Sequence, residues 1–305
     1  MSLDADYQID RRRLKRRLTW WRALAVIAIA GAAVAAAFNI PEIRALTAHD
    51  HIARLTVRGP ILDDRDRHEM LEAVARSPRT QALLVVIDSP GGTTTGGESL
   101  YRDLRRVSDS GKPVIAVIGT LGTSAGYMVA LGADRIFALE TSITGSIGVA
   151  LETAEISGLL KTLGISSETY RSAPLKGQPS LFEPTPEAAR QATQAVIDDV
   201  YAWFVDLFAQ RRGFERERAL TLADGRIFSG RQAMAQGLID GIGTEAEALD
   251  WLETEMNISA ALPIVDLERP VPAMDFFDLV TGLVKKVSLS ERLRLDGVVS
   301  VWHPR

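Results

Sequence analysis

The sequence predicts an α/β fold with mainly parallel strands, preceded by one N-terminal transmembrane helix. Two runs, 82–88 and 114–118, are apolar apart from the final Asp88 of the first, and they have the composition of strands buried on both faces of a sheet. Segments with helical spacing at 65–76 and 98–108 alternate with these strands and with an earlier predicted strand at 53–57. Such alternation of strands and helices favours parallel α/β layers.

The remaining elements are predicted from the same periodicities and from the glycines and prolines that bound them. We expect further strands at 135–138 and 144–149, an extended segment at 167–171, and helices at 127–131, 157–163 and 184–212. One more short helix has clear boundaries. Ser229 can cap its start with Gln232 three residues later, and Gly237 can close it.

The N-terminal region has the pattern of a membrane anchor. Residues 1–22 contain seven basic and three acidic side chains, and residues 23–38 contain no charge. With the two tryptophans before it, the apolar stretch approaches the ~20 residues that a membrane helix needs. The basic cluster predicts a cytoplasmic N-terminus. A cleaved signal peptide is the alternative, since Ala35-x-Ala37 fits a cleavage site, whereas the nearby cations disfavour a buried core helix.

These patterns divide the chain into five regions. They are a cytoplasmic basic N-terminus (1–18), a transmembrane signal anchor (19–40), a linker (41–50), the main domain (51–250) and a C-terminal amphipathic tail (251–305). Within the tail, the apolar positions of 274–287 can share one helical face. The predicted orientation of the anchor places the main domain outside the cytoplasm.

Composition excludes several classes of function. The chain has no cysteine, which excludes disulfides and thiolate chemistry. The whole chain has a net charge of −4 although its first 22 residues are basic, so the remainder carries −8. An acidic main body argues against nucleic-acid binding. We expect no cofactor and no bound metal.

Ser124 is the candidate nucleophile. It follows the predicted strand 114–118 on a turn of small residues, 122–126, which fits the pattern G-x-S-x-G and leads into a predicted helix. A Ser-His-Asp triad fits poorly, because the only histidine after the serine, His303, lies two residues from the C-terminus. A lysine can replace histidine as the base.

Six lysines are present, and four of them are excluded by position. Lys15 precedes the predicted anchor, Lys112 precedes a proline at a strand entrance, and the last two lie in the distal tail. Lys161 has the spacing of a solvated helix face. Lys176 lies in a loop with proline and glycine that can hold one conformation beside a site. Either lysine would need burial among apolar atoms to act as a base near neutral pH.

The backbone of Gly91 and Gly92 is the second candidate group. Paired glycines after a buried strand let N–H groups face a ligand, as an oxyanion hole requires. Together with residues 93–96 they could offer backbone groups to an added peptide strand. In a doubly wound sheet the ends of neighbouring strands line one crevice, so we expect these glycines to meet Ser124 there.

Four motifs together resemble the signal peptide peptidase A family, the S49 serine peptidases in their short form. The similarity covers about 51–250 in the family's order, and its motifs are "DSPGG" (88–92), "GTSAGYMVALGAD" (122–134), "TGSIGV" (144–149) and "ADGRIFSGRQAMAQGLIDGIG" (223–243). The resemblance implies a layered fold like that of Clp proteases and crotonases. It also implies a Ser-Lys dyad, with the serine at Ser124 and the lysine at Lys176. Ala173 and Gly177 depart from the glycine and the acid that usually flank that lysine.

The resemblance implies a membrane-anchored serine endopeptidase of the bacterial inner membrane. Its peptidase domain, 51–250, would degrade released signal peptides and other extended apolar peptides outside the cytoplasm. A ring-like homo-oligomer is also implied, with the dyad completed across an interface. Two alternatives stay open: a crotonase-type acyl-CoA enzyme, which needs a carboxylate acid/base and a cationic CoA site, and a non-catalytic membrane scaffold of the same fold.

Overall fold

The computed structural model describes residues 20–22, 24, 49–267 and 299–301. It contains two compact units, Met1–His49 and Asp50–Arg305. In the first unit, the described residues 20–22 and 24 are helical and exposed. The predicted basic N-terminus, nearly all of the predicted anchor, most of the linker and the amphipathic positions 274–287 lie outside the described residues. Among the residues that are described, no helix has the length and apolar content to cross a membrane.

The second unit alternates strands and helices along the chain. Its described strands are β1 (His51–Arg58), β2 (Thr80–Ser89), β3 (Gly91–Thr93), β4 (Val114–Thr123), β5 (Arg135–Ala138), β6 (Ile143–Gly145), β7 (Ile227–Ser229), β8 (Gly241–Ile242), β9 (Ile264–Asp266) and β10 (Val299–Val301). Its described helices are α1 (Arg65–Arg76), α2 (Thr94–Asp109), α3 (Ala125–Ala130), α4 (Ser157–Thr162), α5 (Glu187–Arg212), α6 (Arg216–Leu222), α7 (Gly230–Gln236) and α8 (Glu245–Met256).

A mainly parallel sheet organises this unit. Its main path runs β7-β6-β4-β2-β1-β9, and β5 pairs with both β4 and β8. Every pairing in it is parallel except that of β6 with β7. β4 is long enough to pair with β5 along 115–118 and with β6 along 121–123. The far end of β4 therefore projects beyond β5 and leads directly to Ser124.

Helices cover both faces of the sheet, which confirms the predicted α/β fold. On β2, Leu83, Val85 and Ile87 face one apolar core that also contains buried side chains of α1, α2, α3 and α5. Ala82 and Leu84 face a second core that contains Ala248 and Leu252 of α8. Alternate residues of one strand thus enter different cores, which explains why its sequence is continuously apolar.

Most predicted elements are confirmed, and the differences have local causes. α1 has the predicted bounds, and Ser229, Gln232 and Gly237 form the predicted capping box and left-handed C-cap of α7. The predicted strand at 144–149 is wrong beyond Gly145, because Gly145 (φ +81°) and Ser146 (φ +51°) leave the extended conformation. The expected extension at 167–171 is not a strand either.

Candidate active site

Ser124 lies at the junction of β4 and α3 in a strained conformation. Its φ of 57° and ψ of −120° lie in a region that favours glycine, which for a serine costs about 1–3 kcal/mol. Its N–H donates to Gly145 O at 2.8 Å, and its carbonyl accepts from Met128 N at 2.9 Å. Strand β6 and helix α3 therefore hold the backbone of this residue from both sides. The side chain is buried, with 2% of the residue exposed.

The small residues around Ser124 are required by close packing. A Cβ added to Gly122 would lie 2.7 Å from Ile118 Cγ2, and one added to Gly126 would lie 3.0 Å from Ser89 O. Thr144 Oγ1 donates to Gly122 O at 2.7 Å, which fixes the strand just before the turn. The G-x-S-x-G pattern thus reflects contact of the turn with its own strand and with the end of β2.

Strand β3 is held beside β2 by a serine hydroxyl and by Ile61. Ser89 Oγ donates to Gly59 O at 2.7 Å and accepts from Gly91 N at 3.1 Å. Ile61 N donates to Gly91 O at 2.8 Å, and Thr93 N donates to Ile61 O at 2.9 Å. The amide of Gly91 therefore already has an acceptor within the chain.

The structure brings the glycine strand and the serine turn together, as expected from the strand ends. Ser89 pairs with Gly122 in the β2–β4 register. Thr123 Oγ1 donates to Pro90 O at 3.1 Å, so the residue before Ser124 is bonded to the residue before Gly91. Gly92 and Ser124 therefore lie just after two chain segments that are hydrogen-bonded to each other.

The predicted extended edge is shorter than expected. β3 ends at Thr93, and residues 94–96, which we expected to offer backbone groups to a peptide, belong to helix α2. Thr93 is the N-cap of that helix, and its side chain accepts from Gly96 N at 3.1 Å. On its outer side, β3 pairs antiparallel with β10, with Ser300 opposite Gly92. The edge at Gly91–Thr93 is therefore able to take an extended strand.

Lys176 lies in a loop between α4 and α5 and is exposed, as is Lys161. Lys112, which its position before a proline excludes as the base, donates from Nζ to Ala75 O at 2.7 Å. In a single chain, Lys161 and Lys176 are therefore both exposed to solvent, while Ser124 is buried. Exposure alone does not show which of the two lysines acts as the base.

Two other groups able to exchange protons, Tyr127 and His68, have structural partners. Tyr127 of α3 is buried and donates from its hydroxyl to Leu238 O at 2.7 Å. Burial is the main cause that raises the pKa of Tyr127 above its ordinary value, and Asp240 raises it further against the opposing effect of Arg212. His68 contacts the buried Asp103 through Nδ1 at 2.7 Å. His303 lies outside the described residues.

The sequence does not predict the roles of two residues that shape the site, Ser89 and Ile61. The available signal for Ser89 was its position two residues before Gly91, where a hydroxyl can accept from the backbone of a turn. Ile61 follows a predicted strand end and carries no local signal, because its contacts with β3 join residues thirty positions apart in sequence. Among the described residues, no group of His, Asp and Glu has the geometry to hold a metal ion.

A serine on a strained strand-to-helix turn is also the position of the nucleophile in serine hydrolases of the α/β class. Comparison with known proteins gives the particular family. The chain belongs to peptidase family S49, whose family profile matches residues 106–259.

Named relatives agree with this membership. A candidate protease of Synechocystis sp. is 38% identical over 72% of this chain and 80% of its own length. A candidate signal peptide peptidase SppA of Enterococcus faecium is 30% identical over 70% of this chain and 66% of its own length. The chloroplast serine protease SPPA of Arabidopsis thaliana is 28% identical over 72% of this chain, which corresponds to 32% of that longer protein.

Replacement of Gly92 by alanine is expected to destabilise the protein and to reduce activity. The new Cβ would lie 1.9 Å from Ile61 O and 2.5 Å from Ile61 N, so β3 would have to move. Overpacking of this kind costs about 1–3 kcal/mol. Gly158→Ala is the matched control, because nothing lies within 4 Å of its added Cβ. Thermal unfolding and peptide hydrolysis of both variants measure the effect, and equal stability of the two would contradict it.

Proposed function

We propose that the chain is a membrane-anchored serine endopeptidase in which Ser124 is the nucleophile and Lys176 the general base. The observation that carries the proposal is the strained backbone of Ser124 at the end of β4, next to the glycine strand β3. Strain at a single non-glycine residue is typical of functional positions. The layered α/β/α arrangement is also the one expected of a fold like that of Clp proteases and crotonases.

In the proposed reaction, Ser124 Oγ attacks the carbonyl carbon of the scissile peptide while Lys176 Nζ accepts the hydroxyl proton. The tetrahedral intermediate collapses, and the leaving amine takes that proton. Water then hydrolyses the acyl ester, again with Lys176 as the base. Of the two glycines expected to stabilise the oxyanion, we assign the donor to Gly92. Gly91 N donates within its own turn to Ser89 Oγ, whereas Gly92 lies opposite Ser300 of β10, a strand that a bound substrate would have to displace from this edge. Gly91 contributes the turn, with a φ of 115°.

The proposed substrates are extended apolar peptides, including released signal peptides. Backbone pairing along a strand edge gives affinity without a fixed sequence. The antiparallel pairing of β10 with β3 supports this mode of binding, because it uses the backbone of Gly91–Thr93 in this way. A relative named as a candidate signal peptide peptidase supports the substrate class.

Covalent labelling tests the proposed chemistry. A fluorophosphonate probe is expected to form one Ser Oγ–P bond at Ser124 with release of fluoride, and mass spectrometry of the digested protein locates it. A crotonase-type acyl-CoA enzyme or a non-catalytic scaffold would leave the protein unlabelled. Ser142→Ala is a suitable control, since this buried serine hydroxyl donates to Gly119 O and should not affect labelling.

We also propose that residues 19–40 anchor the protein in the inner membrane, with the peptidase domain outside the cytoplasm. The support is the uncharged stretch 23–38 that follows the basic cluster. A reporter fused after Arg305 is expected to behave as exported, and the mature N-terminus should be Met1 or Ser2. A mature N-terminus near Phe38 would instead indicate a cleaved signal peptide.

The active form that we propose is a homo-oligomer. A base that loses its proton near neutral pH needs desolvation, and Lys176 is exposed in a single chain. The stretch 159–196 also has many large apolar side chains in solvent, which is typical of an interaction surface. They are Leu159, Leu163, Ile165, Tyr170, Leu175, Leu181, Phe182 and Val196. A neighbouring subunit could cover these side chains and bring Lys176 to Ser124.

A further inference from the structure

The loop that contains Lys176 is cross-linked by a cluster of three side chains, Arg171, Gln178 and Glu183. Residues 163–186 contain no helix or strand, so the backbone geometry of this region is not set by a regular element. Local turns supply some hydrogen bonds, from Lys176 N to Ala173 O at 3.1 Å and from Gln178 N to Leu175 O at 3.3 Å. These two bonds join residues only three positions apart. A longer bond, from Ile156 N to Leu181 O at 2.8 Å, ties the region to the start of α4, but it does not link residue 171 to residue 183.

Glu183 links residue 183 to residue 171 across the segment that contains Lys176. Its carboxylate accepts from both terminal nitrogens of Arg171, with a distance of 3.2 Å from Nη1 to Oε2 and a second, shorter bond from Nη2 to Oε1. It also accepts from Gln178 Nε2 at 2.6 Å. Bidentate pairs between arginine and carboxylate belong to the stronger class of hydrogen bonds and fix orientation as well as distance. The cluster therefore closes a loop of which Lys176 is a central residue.

Burial makes this pair different from an ordinary surface ion pair. The side chains of Arg171 and Glu183 are 18% and 33% exposed, whereas those of the nearby Arg190–Glu187 pair are 64% and 70% exposed. Exposed pairs contribute little, while removal of one partner from a partly buried pair leaves the other charge with less compensation from solvent. Among the described residues, Arg171 Nε and Gln178 Oε1 are buried without a hydrogen-bond partner. The cluster thus has one unused acceptor, Gln178 Oε1, but this amide oxygen is neutral and cannot replace the charge or the two-oxygen geometry of the Glu183 carboxylate.

We propose that Glu183, through Arg171 and Gln178, is a positioning residue that holds the Lys176 loop in its active conformation. Glu183 would not touch the substrate. Its effect would come through the placement of the base, and misplacement by about 1 Å can reduce a rate by about a hundredfold. This inference rests on the proposed role of Lys176 and extends it to a residue that the catalytic motifs do not include.

The test compares Glu183→Gln with the matched control Glu187→Gln in the full chain. We expect Glu183→Gln to reduce kcat at least tenfold with little change in KM, and trypsin to cut more rapidly after Lys176. Glu187→Gln should match the wild type in both assays. Exchange of the two charges, Arg171→Glu with Glu183→Arg, should restore much of both properties, because the Gln178 amide can rotate to accept from the new arginine.

The outcomes separate this inference from the proposed function. If Lys176→Ala is inactive but Glu183→Gln has the kcat and trypsin sensitivity of Glu187→Gln, the positioning role is wrong and the dyad stands. If Lys176→Ala keeps wild-type activity, the dyad is wrong and the positioning role fails with it, even where trypsin shows a loosened loop. Should Glu183→Gln fail to fold, the charge-exchanged protein carries the test. An inactive but folded exchange variant with a protected loop would contradict the proposal.

Discussion

Replacement of Ser124 by alanine is expected to abolish peptidase turnover while the fold stays intact. Loss of a nucleophile of this kind reduces kcat by roughly 10⁴-fold or more. The fold should persist because the backbone of residue 124 is held by Gly145 O and Met128 N, and neither bond uses the hydroxyl. Hydrolysis of an extended apolar peptide measures the activity, and circular dichroism with thermal unfolding measures the fold.

The strain at residue 124 provides an internal control for this result. Ser124→Gly should be as inactive as Ser124→Ala but more stable than it, because glycine adopts a φ of 57° without the steric cost that alanine keeps. Ser142→Ala removes another buried hydroxyl and should retain activity. Wild-type peptidase activity in purified Ser124→Ala would show that this serine is not the nucleophile.

The sequence predicts much of this fold because most of its elements have local causes. The run 82–87 is continuously apolar since alternate residues enter two cores, and periodicity alone indicates such a strand. α7 is predicted at both ends because its capping box and its C-cap glycine lie within nine residues. The strand predicted at 144–149 extends too far. The backbone turns away at Ser146, which has a left-handed conformation, and serine is not a residue type that indicates the end of a strand.

The site is predicted less completely, because several of its contacts join distant segments. The meeting of Gly92 with the Ser124 turn follows from a general property of parallel sheets. Support of β3 by Ile61 and its pairing with β10 depend on residues about thirty and two hundred positions away, for which composition gives no signal. The Glu183 cluster is hidden for the same reason, since three polar residues in an irregular loop have no periodicity.

The choice of Lys176 as the base is tested by substitutions that separate charge from proton exchange. Lys176→Arg is expected to be inactive like Lys176→Ala, because arginine keeps the charge but stays protonated in proteins. Lys161→Ala is the matched control, since Lys161 is also exposed and was the other lysine left by position. An active Lys176→Arg together with an inactive Lys161→Ala would assign the base to Lys161.

A mixture of two inactive variants is expected to regain activity if the dyad is shared between subunits. In a ring where each site takes its serine from one chain and its lysine from the neighbour, an equal mixture of Ser124→Ala and Lys176→Ala restores about a quarter of the sites. The physical reason is that Ser124 is buried while Lys176 is exposed in one chain, beside apolar side chains that a neighbour would cover. Subunit exchange is verified with two affinity tags, and peptide hydrolysis is measured before and after exchange. A shared site predicts activity only after exchange. If doubly tagged oligomers form and stay inactive, the dyad lies within one chain, and a fully active monomer in detergent would also exclude the oligomer.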